Sequence, residues 1–234
     1  MQIAGATALV TGANRGLGRH LAEQLLARGA TVYAGARNPD SVDLPGAIPV
    51  RIDVTDEASI AAAARQVEGL TLLINNAGSG TGVNFLDGPL SDIRLEMETH
   101  YFGTLAVTRA FAPQLAEAPG DSGVLNVLSV LSWVTRPGYG GYSAAKSAAW
   151  SLTNALRTEL ASQGTQVTAL HVAFMNTDMV RHVDAPKSDP AVIAALALEG
   201  VEAGVDEVLA DDLTRQVQAG LAGGVAALYP KAAA

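Results

Sequence analysis

The stretch TGANRGLG, residues 11–18, joins an apolar run to an amphipathic one. The preceding residues 6–10, ATALV, form a short apolar run, which predicts a buried strand. After the glycines, leucines recur at helical spacing and predict a helix over about residues 16–28: Leu17, Leu21 and Leu25. A strand, a glycine-rich turn and a helix in this order are typical of the first unit of a parallel α/β sheet.

The same alternation of apolar strands and helical patterns continues along the chain. Further strands are predicted at 31–36, 48–52, 70–74, 123–129, 165–172 and 207–210. Further helices are predicted at 56–67, 91–117 and 142–161, and a last helix is predicted to end near residue 221. This pattern predicts an α/β fold in which residues 1–234 form one domain, a Rossmann-type doubly wound parallel sheet with helices on both faces.

Two segments near the C-terminus interrupt this regular pattern. Residues 176–204 begin irregular and end helical, and we expect them to form a lid over a substrate site. The final residues 229–234, YPKAAA, are expected to fray.

Composition excludes several classes of function. The net charge of −8 would repel phosphates, which argues against a nucleic-acid partner. The chain has no cysteine, which excludes disulfides, thiol catalysis and cysteine-ligated metals. The N-terminus has no basic leader, and no apolar run approaches the roughly 18 residues of a membrane span. We therefore expect a soluble, cytoplasmic protein with no membrane partner.

The glycines at 12, 16 and 18 indicate what the first turn binds. Glycine lets the backbone turn tightly and lets a phosphate approach the N-terminus of the following helix. The alternative is a plain glycine-rich turn, which the flanking strand and helix disfavour. The pattern therefore predicts a dinucleotide site.

Two arginines bear on which dinucleotide fits. Arg15 lies inside the glycine loop, and Arg37 follows the second strand, where NAD-binding chains place an acid that grips the ribose hydroxyls. Here the strand ends in Ala36, and a guanidinium suits a 2′-phosphate. We predict NADP(H) as the cofactor, with two solvated arginines as the alternative. Asp53, after the third strand, could accept from the adenine amino group or cap the next helix.

The segment GYSAAKSAAW, residues 141–150, places Tyr142 and Lys146 four positions apart. On a helix both side chains then lie on one face, one turn apart. A nearby cation favours the phenolate and lowers the pKa of a tyrosine from its usual value near 10. The pair is therefore a candidate for proton transfer, and Ser129 precedes it at the predicted end of the fifth strand.

Three motifs in this order, TGxxxGxG, NNAG at 75–78 and Ser…YxxxK, make nearly the whole chain resemble the short-chain dehydrogenase/reductase family. The resemblance implies a Rossmann-type oxidoreductase that transfers a hydride between a nicotinamide cofactor and a carbonyl or alcohol. It implies that Ser129 hydrogen-bonds the substrate oxygen and that Tyr142 donates or accepts the proton. Lys146 would bind the nicotinamide ribose and lower the pKa of Tyr142.

The resemblance also implies a set of residues that bind the cofactor. These are Gly12, Asn14, Arg15, Gly16, Leu17, Gly18, Arg37, Asp53, Val54, Asn75, Ala77, Gly78, Tyr142, Lys146 and Thr177.

The chain departs from the family pattern at two places. His100 stands where the family has an asparagine that helps to hold a water linking the lysine to solvent. We predict that His100 substitutes in this proton relay, as a fourth catalytic residue that titrates near pH 6.5; the alternative is a helix residue turned away from the water. After the sixth strand, Val172 and Ala173 replace the family's Pro-Gly, whereas Thr177 remains.

Aromatic and sulfur-containing side chains flank the predicted cleft. The candidates for substrate contact are Trp133, Tyr139, Phe174, Met175 and Met179, with packing in the core as the alternative for each. Of the other histidines, His20 and His171 are expected to be structural, and His182 to be solvated or to meet the substrate. No cluster of histidines and acids has metal-ligand spacing, so no metal is expected.

The predicted function is an NADP(H)-dependent carbonyl reductase or alcohol dehydrogenase that acts on a hydrophobic ketone or aldehyde. Two alternatives remain: a non-redox enzyme on the same scaffold, such as an epimerase or dehydratase, and an NADP(H)-binding sensor. Small residues on the tyrosine helix would allow close packing in a homodimer or homotetramer: Ala144, Ala145, Ala148 and Ala149.

Overall fold

The computed structural model describes residues 1–118, 121–181 and 183–229. Within them, seven parallel strands form one sheet in the order β3-β2-β1-β4-β5-β6-β7. The strands are β1 (Thr7–Thr11), β2 (Thr31–Ala36), β3 (Ile48–Arg51), β4 (Leu72–Asn75), β5 (Ser122–Val127), β6 (Thr165–His171) and β7 (Glu207–Leu209). Every predicted strand is present, and the Rossmann-type doubly wound α/β fold is confirmed.

Helices connect the strands across both faces of the sheet. They are α1 (Gly16–Ala27), α2 (Glu57–Gln66), α3 (Leu90–Met97), α4 (Gly103–Ala116), α5 (Gly140–Glu159), α6 (Pro190–Ala203), α7 (Asp212–Gly220) and α8 (Gly224–Leu228). The helix predicted at 91–117 consists of α3 and α4 joined by a π-helical turn, Glu98–Phe102. Such turns are frequent at functional sites, and this one contains His100.

Each face of the sheet carries its own hydrophobic core. On one face α1 and α6 bury apolar side chains against the strands: Leu21, Leu25, Ile193, Leu198 and Val201. On the other face α2, α4 and α5 do the same: Ile60, Val107, Phe111, Leu152 and Leu156. Because the central strands are covered on both sides, they read in the sequence as continuous apolar runs.

Helix α6 corrects the predicted lid at 176–204. Ile193, Ala197 and Leu198 are fully buried against the core that α1 also covers. The helical half of the segment therefore belongs to a structural layer, because its apolar residues have the sheet to cover. The lid prediction now concerns residues 176–189, where it stays a prediction.

The end of the chain also differs from expectation. After α7 come a short 3-10 helix, Leu221–Gly223, and α8, neither of which was predicted. The hydroxyl of Tyr229 accepts a hydrogen bond of 2.7 Å from the backbone N–H of Thr135. The expectation of a frayed end is therefore wrong for Tyr229, and residues 230–234 lie outside the described residues.

Strands β1 and β4 are adjacent although the chain runs from β1 outward to β2 and β3 before it returns. This is the topological switch point of the sheet, beside which open α/β proteins bind their ligands. Two residues link the strands at this edge. The Thr11 hydroxyl accepts from the N–H groups of Asn76 and Ala77 at 3.0 Å each, and the Asn76 amide donates to Thr11 O at 2.8 Å.

Helix α1 begins directly above this edge because Gly18 has no side chain. A Cβ at Gly18 would lie 2.3 Å from the Gly12 carbonyl oxygen and 2.4 Å from the Asn76 amide nitrogen. Gly12 itself has φ +67 and Gly16 φ +54, in the region that favours glycine. The glycines of TGANRGLG are therefore required by two separate constraints, backbone angle and close packing.

Gly18→Ala is expected to lower the free energy of unfolding by about 1–3 kcal/mol, the usual cost of overpacking. Chemical denaturation of the variant and the wild type measures the difference. Gly220→Ala, at the end of α7, is the control because its new Cβ would lie 3.4 Å from the nearest atom, Leu228 Cδ2. The control should be neutral or slightly stabilising. Equal stability of Gly18→Ala and wild type would contradict this account of the α1 contact.

Candidate active site

Ser129 was predicted to be the last residue of the fifth strand, but it lies just beyond the end of β5. The strand ends at Val127, and Ser129 caps the short 3-10 helix Val130–Ser132, where its hydroxyl accepts from the Leu131 N–H at 3.1 Å. A serine side chain competes well for such backbone donors and so ends the strand early. This position keeps the Ser129 hydroxyl buried at the carboxyl edge of the sheet.

Helix α5 brings Tyr142 and Lys146 to the same place. Ser129 lies close enough to the Tyr142 hydroxyl to act on its pKa. Lys146 Nζ donates to the Val127 carbonyl at 2.7 Å and lies 5.6 Å from the centroid of the Tyr142 ring. The structure therefore unites the three side chains that the sequence motif predicted to act together.

The pKa of Tyr142 corrects one prediction. Desolvation by burial and the negative charge of Glu96 raise it above the usual value of 10, although the Ser129 hydrogen bond acts in the opposite direction. Burial also lowers the pKa of Lys146 to about 8, although Glu96 opposes this shift. The pKa of Tyr142 is therefore raised overall, and not lowered as predicted, because the phenol is strongly desolvated and faces a carboxylate.

His100 is completely enclosed beside these groups. Its ring meets the Tyr142 ring edge to face, with centroids 5.1 Å apart. A Cβ at Gly78 would lie 2.9 Å from His100 Cε1, so this glycine makes room for the imidazole. Burial and the charge of Lys146 lower the His100 pKa below its usual 6.5. The expected titration near pH 6.5 is therefore wrong, since the enclosed ring cannot readily take up a charge.

Glu96 is a site residue that the sequence analysis missed. It precedes His100 by one helical turn, is completely buried, and its Oε2 lies 3.2 Å from His100 Nε2. Burial alone would raise the Glu96 pKa, but hydrogen bonds from His100 and Thr81 outweigh it and lower the pKa to about 2. The i, i+4 spacing of an acid and a histidine is the signal that could have found the pair.

A second buried histidine lies at the end of β6, next to Trp133. His171, the last residue of β6, stacks on Trp133 with ring centroids 4.1 Å apart, and its Nε2 lies 3.4 Å from Glu207 Oε1. Burial lowers its pKa. His20 lies 3.5 Å from Glu23 on the surface of α1. Both fit the predicted structural roles, and His182 lies outside the described residues.

The predicted cofactor residues cluster around the switch point. Thr177 approaches the glycine loop, since a Cβ at Gly16 would lie 3.5 Å from Thr177 Cγ2. The backbone of Val54, after β3, packs against Gly103 of α4. Asn14, in the glycine loop, donates to Ser41 Oγ at 3.1 Å. Residues from four separate segments therefore border one edge of the sheet.

Asn75 does not fit its predicted role as a cofactor ligand. Its amide nitrogen donates to Thr108 Oγ1 at 3.0 Å and to Asn126 Oδ1 at 2.9 Å, inside the fold. Asn75 is still part of β4, and the alternation of the strand turns its side chain toward α4 and β5. The neighbouring Asn76, not singled out from the sequence, holds the glycine loop instead.

Both predicted phosphate-binding arginines are exposed. Arg15 Nη1 lies 3.4 Å from Asp178 Oδ2. This ion pair is exposed and therefore contributes little to stability. Asp53 does not cap α2, because Asp56 does so. Asp53 instead accepts from the N–H and hydroxyl of Thr55. Burial raises the Asp53 pKa, but these hydrogen bonds and the nearby Arg37 and Arg51 lower it overall.

The predicted substrate residues are only partly brought together. The guanidinium of Arg136, which the sequence analysis missed, lies 5.3 Å from the Tyr139 ring and 5.4 Å from the Phe174 ring. Met175 packs partly against the core, which favours its structural alternative. Met179 lies in the 3-10 helix Asp178–Val180, and its side chain lies outside the described part of the chain.

A cavity of about 230 Å³ opens beside the N-terminal end of α5. Its lining is mostly apolar: Phe85, Trp133, Val134, Thr135, Gly140, Ser143, Ala144, Ser147 and Tyr229. Tyr229 therefore lines this cavity, although the sequence analysis named no residue near the C-terminus as a substrate contact. Within residues 1–118, 121–181 and 183–229, no group of three or more histidines and acids is placed to hold a metal ion. No helix in these ranges has the length and apolar character needed to cross a membrane.

Comparison with known proteins agrees with this geometry. Residues 6–188 match the family described as short chain dehydrogenase. A crystal structure of a short chain dehydrogenase from Burkholderia cenocepacia J2315 in complex with NADP is 40% identical, covers 97% of each chain and superposes with a TM-score of 0.93.

Two curated relatives carry named activities. Carbonyl reductase [NADPH] 2 of Sus scrofa is 32% identical over 84% of this chain and 81% of its own length. The NADPH-dependent 1-acyldihydroxyacetone phosphate reductase of Schizosaccharomyces pombe is 33% identical over 72% of this chain, and the match spans 60% of that protein. Because the family match extends over well over half of the sequence, the chain belongs to the short-chain dehydrogenase/reductase family and is an oxidoreductase of that type.

Proposed function

We propose that the protein is an NADPH-dependent reductase of hydrophobic ketones or aldehydes. The observation that carries this proposal is that buried Ser129 acts directly on the Tyr142 hydroxyl, with Lys146 Nζ 5.6 Å from the centroid of the Tyr142 ring. This group lies at the same edge of the sheet as the glycine loop. A proton donor is thus placed where a bound dinucleotide would present its reactive end.

The residues present fit a dinucleotide phosphate. Gly12 and Gly16 adopt positive φ, and the closeness of Gly18 to Gly12 O leaves no space for a side chain at position 18. Helix α1 has no side-chain cap and no acid in its first turn, so its first N–H groups remain available to an anion. Arg15 and Arg37 supply positive charge near the ends of β1 and β2, which supports the 2′-phosphate of NADP(H) over NAD(H).

The chemistry that NADPH would supply when bound is a hydride for the carbonyl carbon of the substrate. The Ser129 hydroxyl holds the carbonyl oxygen, and the Tyr142 phenol donates the proton to it. The raised Tyr142 pKa keeps the phenol protonated at neutral pH, as an acid requires. Lys146, held by the Val127 carbonyl, stabilises the negative charge left on Tyr142 after the proton has moved.

The apolar lining of the cavity beside α5 supports a hydrophobic substrate. Trp133, Val134 and Phe85 offer no charged group to a sugar or a small acid. The relative from Sus scrofa, named a carbonyl reductase, supports the same class.

Consumption of NADPH with a panel of hydrophobic ketones and aldehydes tests the proposal. Turnover of at least one carbonyl that consumes NADPH in equal amount supports it. Conversion of substrate without consumption of NADPH would favour the non-redox alternative, and NADPH binding without any conversion would favour the sensor.

We also propose a homodimer or homotetramer that assembles on the α5 side. Exposure separates the four alanines that the proposal named. Ala145 and Ala149 are buried within the chain, whereas Ala144 and Ala148 face outward. Sedimentation of the purified protein distinguishes the assembly from a monomer.

Tyr142→Phe is expected to remove at least nine tenths of kcat while NADPH still binds, because the ring stays and the transferable proton is lost. Turnover and NADPH fluorescence titration measure the two effects. Tyr33→Phe, on β2, is the control and should retain activity. Retention of more than about a tenth of kcat by Tyr142→Phe would contradict the assigned acid.

NADPH is expected to bind at least about tenfold more tightly than NADH, a difference of about 1.4 kcal/mol. Arg37→Asp should narrow or reverse this preference because it replaces the phosphate partner by an acid. Arg65→Asp, on the exposed end of α2, changes net charge equally and should leave the preference unchanged. Equal wild-type affinities for both cofactors would contradict the assignment.

The pH profile of carbonyl reduction is expected to fall above about pH 8. Lys146 carries its positive charge below its pKa of about 8 and loses it as the pH rises, so kcat/KM should decline by roughly tenfold per unit there. The lowered His100 pKa predicts no acidic limb near pH 6.5. A fall in kcat/KM below about pH 6.5 that is present in the wild type and absent in His100→Asn would contradict this expectation. It would show that His100 titrates in a proton relay.

A further inference from the structure

Glu96 makes an unusual number of hydrogen bonds for a carboxylate that is completely buried. Its Oε1 accepts from the Thr81 N–H at 2.6 Å and the Thr81 hydroxyl at 2.9 Å. Its Oε2 accepts from the Ser79 hydroxyl at 2.9 Å and lies 3.2 Å from His100 Nε2. These partners satisfy an ionised carboxylate and join α3 to the loop that follows β4.

The same contacts determine the protonation of His100. Nε2 lies 2.9 Å from the Ser79 carbonyl oxygen and 3.2 Å from Glu96 Oε2, and both oxygens are acceptors. The Ser79 N–H is a competing donor, 3.3 Å from Nε2, but it is farther away than either acceptor. The two acceptors therefore favour the hydrogen on Nε2, and in the neutral ring Nδ1 is then a bare acceptor. Among the described residues, buried Nδ1 has no hydrogen-bond partner.

We propose that Glu96 is a positioning residue of the active site: its buried carboxylate fixes His100 in the Nε2–H tautomer against Tyr142 and anchors the cleft wall at Ser79 and Thr81. Its consequence for turnover rests on the proposed reductase function, whereas its consequence for the imidazole does not. Glu96 acts through His100 and the loop and needs no contact with substrate.

The charge of Glu96 also acts on the groups around it. His100 faces it from the π-helical turn, and Tyr142 and Lys146 face it from α5, whereas Ser79 and Thr81 add hydroxyls without charge. Tyr139 acts on Tyr142 from the start of α5, and His171 with Glu207 lies beyond Lys146. Because Glu96 opposes the loss of a proton from both Tyr142 and Lys146, its removal should lower both pKa values.

The first test measures the imidazole nitrogens of the wild-type protein by nitrogen-15 NMR. Of the four histidines, the His100 signals are those missing from His100→Asn. We expect a neutral ring with the hydrogen on Nε2 at pH 7. The Nδ1–H tautomer in the wild type would overturn the proposal. This measurement needs neither turnover nor a Glu96 variant that folds.

The second test replaces the charge but keeps the shape. In Glu96→Gln one carboxylate oxygen is replaced by an NH₂ group, which faces either Thr81 or the pair Ser79 and His100. The Thr81 N–H cannot accept a hydrogen bond, so the NH₂ group should face His100 and favour a bare Nε2. The imidazole should therefore shift toward the Nδ1–H tautomer. The alkaline midpoint of kcat/KM should fall by about half a pH unit or more. NADPH affinity should stay within about twofold, because Glu96 does not border the glycine loop.

Glu98→Gln is the matched control, since it makes the same chemical change at an exposed position two residues away. It should preserve the His100 tautomer, the alkaline midpoint and turnover. An unchanged tautomer and midpoint in Glu96→Gln would overturn the proposal, even if that variant were less stable. A wild-type protein that reduces no carbonyl but shows the Nε2–H tautomer would refute the reductase function while it supports the role of Glu96 in fixing the ring.

Discussion

The close approach of α1 to the carboxyl end of β1 is the constraint on which the rest of this structure depends. Gly18 lies against the Gly12 carbonyl with no room for a methyl group, and Asn76, just after β4, fills the remaining space. A helix held this closely points its N–H groups at the switch point of the sheet. The cleft, the cofactor site and the active-site cluster are all arranged around that point.

The active-site cluster shows how buried charged groups are given hydrogen-bond partners. Glu96 and Lys146 are both enclosed, yet each has hydrogen-bond partners at short distance: Thr81 and Ser79 for the acid, and the Val127 carbonyl for the base. Burial works against any further charge, which keeps His100 neutral and the Tyr142 phenol protonated. The same desolvation therefore explains both the neutral histidine and the acidic form of the tyrosine.

The replacement of the family's asparagine by His100 is accommodated locally. Gly78 leaves space for the ring, Glu96 and the Ser79 carbonyl accept its Nε2 hydrogen, and the π-helical turn carries the residue toward Tyr142. A π-helical turn contains one extra residue, so it shifts the register of the side chains that follow it. This shift sets which side chains reach the site.

Much of this protein could be predicted from its sequence, because strands and helices follow from local patterns. The apolar runs predicted the parallel sheet, the spacing of glycines predicted the turn below α1, and the i, i+4 pair predicted that Tyr142 and Lys146 share a face. Asn75 and Asn76 could not be distinguished, because a one-residue difference at the end of a strand decides which amide turns inward. The pKa of Tyr142, the pairing of Glu96 with loop 79–81 and the burial of α6 depended on contacts between distant segments. Those properties arise from desolvation and long-range hydrogen bonds, which exist only once the tertiary structure has brought the segments together.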